Sequence, residues 1–477
     1  MTSAKDPHLT ESLDEIDEFE REPVPPGKVK AFKSFLGLVA GEHIAGTEFV
    51  IGPLFVLHGA GARDVFLGLL DGNILATLSW TLICAPIAVR TRLTIFFQLE
   101  KISGRSLVSF YNAVNALLFC VSASAMIGVS ASAIGTLLGL PTPGLTDLMP
   151  PGPVWVASVT VIGLVMAVVA TYGFDRVSRF STIFAPWRPL IFVTGAVAAL
   201  PSLGVTSLGD FWPVAQEKIW TGIPQEGQTK YGFWHILIFS WLCNSAMHLG
   251  LTDMSIYRYA KKASYGLASA AGMFIGHYMA WVASGILCAV ALQQGNANPS
   301  PGDIAWRSVG LAGIICVLVA GWTTANPTIY RAGLAIQGLL PRFKRWKLTM
   351  IVGLTATLLA WFPAIVSKLD QFLGIYALIG IPIGAIVLVD VYLFRRLGLT
   401  PNLASVTGSR FNGAVAVAWI AAIGFGYALF RYTGADFFFF MALPGWFVAA
   451  VLYVLVSAFL QRRRGSPGAT DAREEAA

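Results

Sequence analysis

Between Gly321 and Gly333 the chain reads GWTTANPTIYRAG, directly after the apolar run Val309 to Ala320. Trp322, Thr323, Thr324, Asn326, Pro327, Thr328, Tyr330 and Arg331 thus stand where hydrocarbon would surround them. Polar groups at membrane depth are costly and mark substrate or ion pathways. Pro327 adds a second resource, because it removes a backbone donor and frees a carbonyl one turn earlier in a helix. A free carbonyl flanked by threonine hydroxyls has the chemistry to hold a cation.

Two other apolar runs carry comparable groups. Residues 32–58 contain Gly41, Glu42, His43, Gly46, Thr47, Glu48, Gly52 and Pro53, a mixture that an unbroken lipid-facing helix does not tolerate. Residues 232–257 contain Trp241, Asn244, Ser245, His248, Gly250, Thr252 and Asp253. Both runs are expected to be broken helices. Glu42 and Glu48 have two readings, as cap residues of a shifted helix or as buried carboxyls that exchange a proton in transport. His43 and His248 also divide, between packing and titration near neutrality. A third run, CVSASAMIGVSASAIG from Cys120 to Gly135, either lets helices approach closely or lines a cavity along one edge. The five cysteines all lie in apolar runs, with neither disulfide-framework nor metal-ligand spacing.

The elements that hold these groups follow from composition. Hydrophobic residues make up 55% of the 477-residue chain and charged residues 12%, about half the charge of an ordinary soluble domain. The fold class is therefore an all-α integral membrane protein. Apolar runs long enough to cross about 30 Å of hydrocarbon fall near 32–58, 64–89, 107–140, 153–173, 181–201, 232–257, 265–293, 308–338, 348–366, 372–394, 412–432 and 437–461. Loops after even-numbered spans hold sixteen Lys and Arg, the opposite loops five. That bias puts both termini in the cytoplasm, in a multi-pass plasma or inner membrane protein. It also accounts for the net charge of +7, so nothing in the charge points to nucleic acid.

Interruptions five helices apart, in spans one and six, imply two five-helix repeats of inverted topology with two helices outside them. The expected organisation is an acidic cytoplasmic tail at 1–30, a first repeat at 31–205, an external loop at 206–231, a second repeat at 232–396, two further spans at 397–462 and a charged tail at 463–477. No Gly-rich phosphate loop, paired metal ligands or soluble catalytic domain is visible, so an enzyme is not expected. No filter-forming motif speaks for a channel. The expected function is secondary active transport of a small solute by alternating access, driven by Na+ or H+, with the lipid bilayer and the solute as partners and no obligate protein partner. A carrier of amino acids or other zwitterions and a transporter-like solute sensor are the alternatives.

Four blocks carry a family resemblance: DVFLGLLDGN (Asp64 to Asn73) with VRTRLTIFFQLEKISGRS (Val89 to Ser106), RYAKK (Arg258 to Lys262), GWTTANPTIYRAG, and IPIGAIVLVDVYLFRR (Ile381 to Arg396). In that order they resemble the nucleobase:cation symporter-1 family, which includes cytosine, purine, allantoin and hydantoin permeases. The resemblance implies the sodium-symporter type of fold, five plus five inverted helices and two more. It implies a cation site at the Ala320 carbonyl and the Thr323 and Thr324 hydroxyls, completed by carbonyls from the break in span one. It also implies a substrate site where spans three and six face each other, near Met126, Ser130 and either Asn244 or Ala246, with Asn326 as the nearby amide. The aromatic pair that sandwiches a planar ring in that family has no obvious counterpart, so a smaller or less aromatic ligand is expected. With Trp241 and His248 added from the polar face of span six, the candidate substrate residues are Met126, Ser130, Trp241, Asn244, His248 and Asn326. The candidate coupling residues are Ala320, Thr323, Thr324, Glu42 and Glu48. Asp253 is read as pairing with Arg258 at a cytoplasmic gate, and His277 as structural.

Overall fold

The apolar runs become helices because a backbone in hydrocarbon must satisfy its polar groups within its own segment. The computed structural model describes residues 22–172, Ile183 and 187–463. Among them the regular structure is helical, apart from two isolated bridging pairs, Lys30 with Ala260 and Gly61 with Thr221. The acidic start to residue 21, the end from residue 464, and Arg176 and Arg179 lie outside the described residues. Residues 22–30, read from sequence as part of a tail, pack on the bundle. Val24 is buried, its N–H donates to Arg92 O, and Lys30 N–H donates to Tyr259 O.

Among the described residues, eight helices are long and apolar enough to cross a membrane alone. They are Ala62–Thr91, Arg105–Leu137, Pro153–Ala170, Ala263–Gln293, Leu311–Leu339, Leu369–Tyr392, Gly413–Thr433 and Phe438–Arg463, the second, third, fourth, seventh, eighth, tenth, eleventh and twelfth spans. Trp187–Leu203 is the fifth and Arg345–Leu359 the ninth. The first and sixth are broken. The first runs Phe32–His43, opens over residues 44–47 and resumes as Glu48–Leu57. The sixth runs Phe233–Leu242, holds one short turn at Ser245–His248 and resumes as Met254–Tyr257.

The packing displays the repeat. If spans six to ten are the counterparts of one to five, the second half of span one lies on span seven as span six lies on span two. Spans three and eight, also counterparts, run against each other along most of their lengths. Small residues permit that approach: a Cβ on Gly321 would meet Ser130 Oγ at 2.0 Å and Met126 O at 2.8 Å. The serine-rich stretch of span three is thus a packing surface at Ser130. Spans eleven and twelve pack on each other and on span ten, outside the repeats.

The break in span six carries strain and a close contact. Leu251 has φ +66°, a left-handed conformation that costs an L residue about 1–2 kcal/mol. The chain holds it there with Thr252 N–H on Ala246 O, Asp253 N–H on Met247 O and Gly250 N–H on Ser245 O. Span ten presses on this turn at Gly384, where a Cβ would stand 1.7 Å from Leu249 O. Gly384→Ala should therefore cost about 1–3 kcal/mol through overpacking against backbone. The expected result is a lower unfolding midpoint in detergent, followed by tryptophan fluorescence. An unchanged midpoint would refute this contact.

Candidate functional site

Each break leaves backbone groups that a continuous helix would have paired. At the first break the partners come from three other spans. Thr324 of span eight donates from Oγ1 to Glu42 O at 3.0 Å, and Ser284 of span seven donates to Glu48 O at 2.7 Å. Arg188 of span five donates from Nη1 to Ile44 O at 2.5 Å and to Thr323 Oγ1 at 2.7 Å. Within the break, Ala45 N–H donates to Glu48 Oε1 at 3.3 Å. Gly46 lets the turn reach span eight, since its Cβ would lie 3.1 Å from the Gly321 backbone.

Two carboxylates flank the first break, and each is compensated differently. Glu42 accepts from both terminal nitrogens of Arg331, which also donates to Asp253 Oδ1 at 2.6 Å. All three side chains are buried. One guanidinium on span eight therefore clamps span one to span six. Glu48 accepts from the indole N–H of Trp281 on span seven. Asp253 has the matching arrangement, because Trp80 of span two donates Nε1 to its Oδ2 at 2.7 Å. Spans two and seven are counterparts, and each carries a π-helical segment, at Trp80–Cys84 and Ala271–Tyr278. Such wide turns re-aim side chains near functional sites.

Above this layer lies a cavity of about 710 Å³, counting the space at its mouth. Glu42, His43, Thr47, Glu48 and Ile51 of span one, Phe119, Ser122 and Met126 of span three, and Asn244, Ala246 and Met247 of span six line it. Span seven contributes His277, span eight Thr324 and Thr328, and span ten Leu369, Leu373 and Tyr376. Its wall is mostly apolar with a few convergent polar groups, the usual make-up of a small-molecule site. Asn244 Nδ2 lies 3.3 Å from His277 Nε2, and the His277 ring stacks on Trp281 at 4.2 Å, so amide, imidazole, indole and Glu48 form one chain. Phe119 and Tyr376 meet edge to face across the cavity wall, and Tyr376 OH donates to Asn115 Oδ1 at 2.7 Å.

Of the residues selected from sequence, the structure brings Met126, Asn244, Glu42, Glu48 and Thr324 to the cavity, with both readings of the span-six register, Asn244 and Ala246, on its wall. The other four substrate candidates lie elsewhere. Ser130 donates to Leu318 O in the contact of spans three and eight. Trp241 donates its indole N–H to Ser79 Oγ, and His248 is buried against Trp80 with Nε2 3.0 Å from Trp241 O. Asn326 faces span four, donating to Met166 O and accepting from Trp322 Nε1. Helical period explains the placing of Asn326, since Asn326 and Thr324 are two residues apart and face away from each other. Ala320, Thr323 and Thr324 do converge on the first break: both hydroxyls lie within 3.1 Å of Ala320 O. Asp253 is held by Arg331, while Arg258 turns to Ser255 O and Tyr259 OH. Sequence reasoning missed Arg188, Phe119, Tyr376 and the cavity position of His277, and it singled out Arg331 only as a polar group at membrane depth. An arginine inside an apolar run was a readable signal for Arg188.

No family model matches the sequence, and no curated protein matches it. Solved structures do match in fold. A closed conformation of the nucleobase-cation-symport-1 family transporter Mhp1, with bromovinylhydantoin bound, aligns at TM-score 0.71 and 14% identity over 93% of this chain and 96% of that one. An inward-facing Mhp1 aligns at 0.66 and 14% identity over 93% and 95%. The substrate-bound outward-open state of a Na+-coupled sialic acid symporter aligns at 0.66 and 12% identity over 95% and 94%. The chain is a multi-pass membrane protein with the inverted-repeat fold of these transporters.

Deleting Arg331 would leave Glu42 and Asp253 buried without a countercharge, a loss of about 3–5 kcal/mol for a broken buried pair. Arg331→Met should lower the yield and thermal midpoint of the purified protein. Adding Glu42→Gln and Asp253→Asn to that variant should recover most of the loss. Wild-type stability in the single variant would show that the cluster is not the clamp described above.

Proposed function

We propose that the protein is a secondary active transporter that takes up a small, neutral, nitrogen-bearing solute, a nucleobase or related heterocycle, by alternating access coupled to sodium or proton entry. The observation that carries this reading is the cavity between two broken helices, lined by an amide, an imidazole and apolar surface. Asn244 and His277 offer hydrogen bonds of both polarities, and Phe119, Met126, Met247 and Tyr376 offer apolar cover to a flat ring. The transporters of like fold bind small molecules, a hydantoin in one case and sialic acid in the other.

Charge argues against a zwitterion carrier. A solute carboxylate would need a free half-helix N-terminus, and in the resumed half of span one the N–H groups of Glu48, Phe49 and Val50 are already bonded to Ala45 O, Gly46 O and Thr47 O. Glu42 and Glu48 also both face the cavity. A neutral solute meets no such repulsion. The positive charge of the loops after even-numbered spans supports cytoplasmic termini and a plasma or inner membrane location. A solute sensor would bind the same ligand without accumulating it, so uptake into liposomes separates the two.

Purified protein screened by thermal shift against nucleobases, hydantoins, nucleosides and amino acids should be stabilised by one of the neutral heterocycles, since a ligand of the native state raises apparent stability by mass action. Asn244→Ala should then weaken binding about tenfold, the value of one lost hydrogen bond of about 1–1.5 kcal/mol. Stabilisation by amino acids alone would reject the substrate class. For coupling, Glu48→Gln should abolish the dependence of liposome uptake on an imposed pH gradient. If that dependence persists in full, Glu48 does not carry the proton.

A further inference from the structure

The oxygens that gather at the first break are those expected of a cation site: the Ala320 and Ile44 carbonyls and the Thr323 and Thr324 hydroxyls. Two of them, Ile44 O and Thr323 Oγ1, already serve a cation. Arg188, 1% exposed and near the start of span five, places Nη1 on Ile44 O at 2.5 Å and on Thr323 Oγ1 at 2.7 Å. Glu48 Oε1 accepts from the N–H of Ala45, the residue next to the Ile44 that Arg188 holds. We infer that Arg188 is a built-in replacement for a coupling sodium ion, filling the position between spans one, five and eight, so that sodium does not drive this carrier through that site.

The chemistry of the donor set supports the assignment. A guanidinium is a permanent cation and donates only, so the two oxygens it bonds have lone pairs turned toward it. A sodium ion would need those same lone pairs. It would also stand within a few ångströms of a fixed positive charge in a medium that screens charge poorly. The residues present therefore do not fit a sodium ion while Arg188 keeps this position. They do fit what the break requires, a donor for the exposed Ile44 carbonyl and a positive charge beside Glu48. A sodium ion leaves the site in each transport cycle, whereas an arginine cannot. Driving force must then enter through a group that gains and loses charge, and Glu48 is the carboxyl on this cavity that shows no ion pair with an arginine among the described residues.

This inference rests on the carrier reading, yet its test does not require transport. Sodium-dependent stabilisation of the detergent-solubilised full chain is measured against choline at equal ionic strength, for wild type, Arg188→Ser and the more nearly isosteric Arg188→Gln. Wild type is expected to show no saturable sodium shift, and at least one folded variant, judged by a single size-exclusion peak, is expected to gain one. Adding Thr324→Ala to that variant should remove the gain. A saturable sodium shift in wild type overturns the inference, and so does its absence from every folded Arg188 variant. In liposomes, uptake of a solute found by the ligand screen should be unchanged when sodium is replaced by choline. Failure of the carrier reading appears differently, as no accumulation of any solute under any gradient.

Discussion

A helix interrupted inside hydrocarbon must find a partner for every backbone group it exposes, because no water is present to supply one. The rest of this structure depends on how two such interruptions are satisfied. At the first, Thr324, Ser284 and Arg188 reach in from spans eight, seven and five to the carbonyls of Glu42, Glu48 and Ile44. At the sixth, the chain turns on itself through Leu251 and bonds to its own preceding turn. The first break is held largely by its neighbours, whereas the second bonds mostly to its own preceding turn, with Tyr111 of span three adding one bond to Gly250 O at 3.5 Å.

The inverted repeat appears in the chemistry as well as in the packing. Trp80 of span two binds Asp253 at the sixth span, and Trp281 of span seven binds Glu48 at the first. Each repeat thus offers an indole to a carboxylate at the break of the other. The symmetry stops at the second partner. Asp253 is completed by Arg331, which binds Glu42 too, while Glu48 has Ala45 N–H as its other bond. One carboxylate is locked into an ion cluster and its counterpart keeps a lighter hold, on the wall of the cavity.

Much of this was legible in the sequence. Span lengths, the two interruptions and the repeat follow from hydropathy and from the placing of Gly and polar residues, because a bilayer allows few alternatives. The convergence of Ala320, Thr323 and Thr324 on the first break was also readable. Other contacts were not, because they depend on which helix faces which. Thr324 and Asn326 stand two positions apart in one motif, but only Thr324 faces the break, and Asn326 serves span four. Arg258 is nearer Asp253 in sequence than Arg331 is, yet Arg331 reaches it because span eight passes behind both breaks. Arg188 stood in plain view within an apolar run, but its meaning depends on a carbonyl 144 positions away.

The position of the Arg331 cluster bears on how such a molecule would open. The cavity extends from the breaks toward Ile51, Leu369 and Leu373, whereas Asp253 and Arg331 lie on the other side of it, toward the start of span one. Opening that side requires the first half of span one and the second half of span six to part, and Arg331 holds both. Moving them apart strands at least one carboxylate in a poorly screened interior, a cost of several kcal/mol unless water enters as they separate. Glu42 belongs to both layers, since its carboxylate binds Arg331 and it also faces the cavity. A ligand in the cavity can therefore act on the clamp through Glu42 without touching Arg331, and it shifts the equilibrium only by as much as it binds one arrangement better than the other. Cavity and clamp meet at Glu42, and in the carrier proposed above that meeting point would tie occupancy to opening.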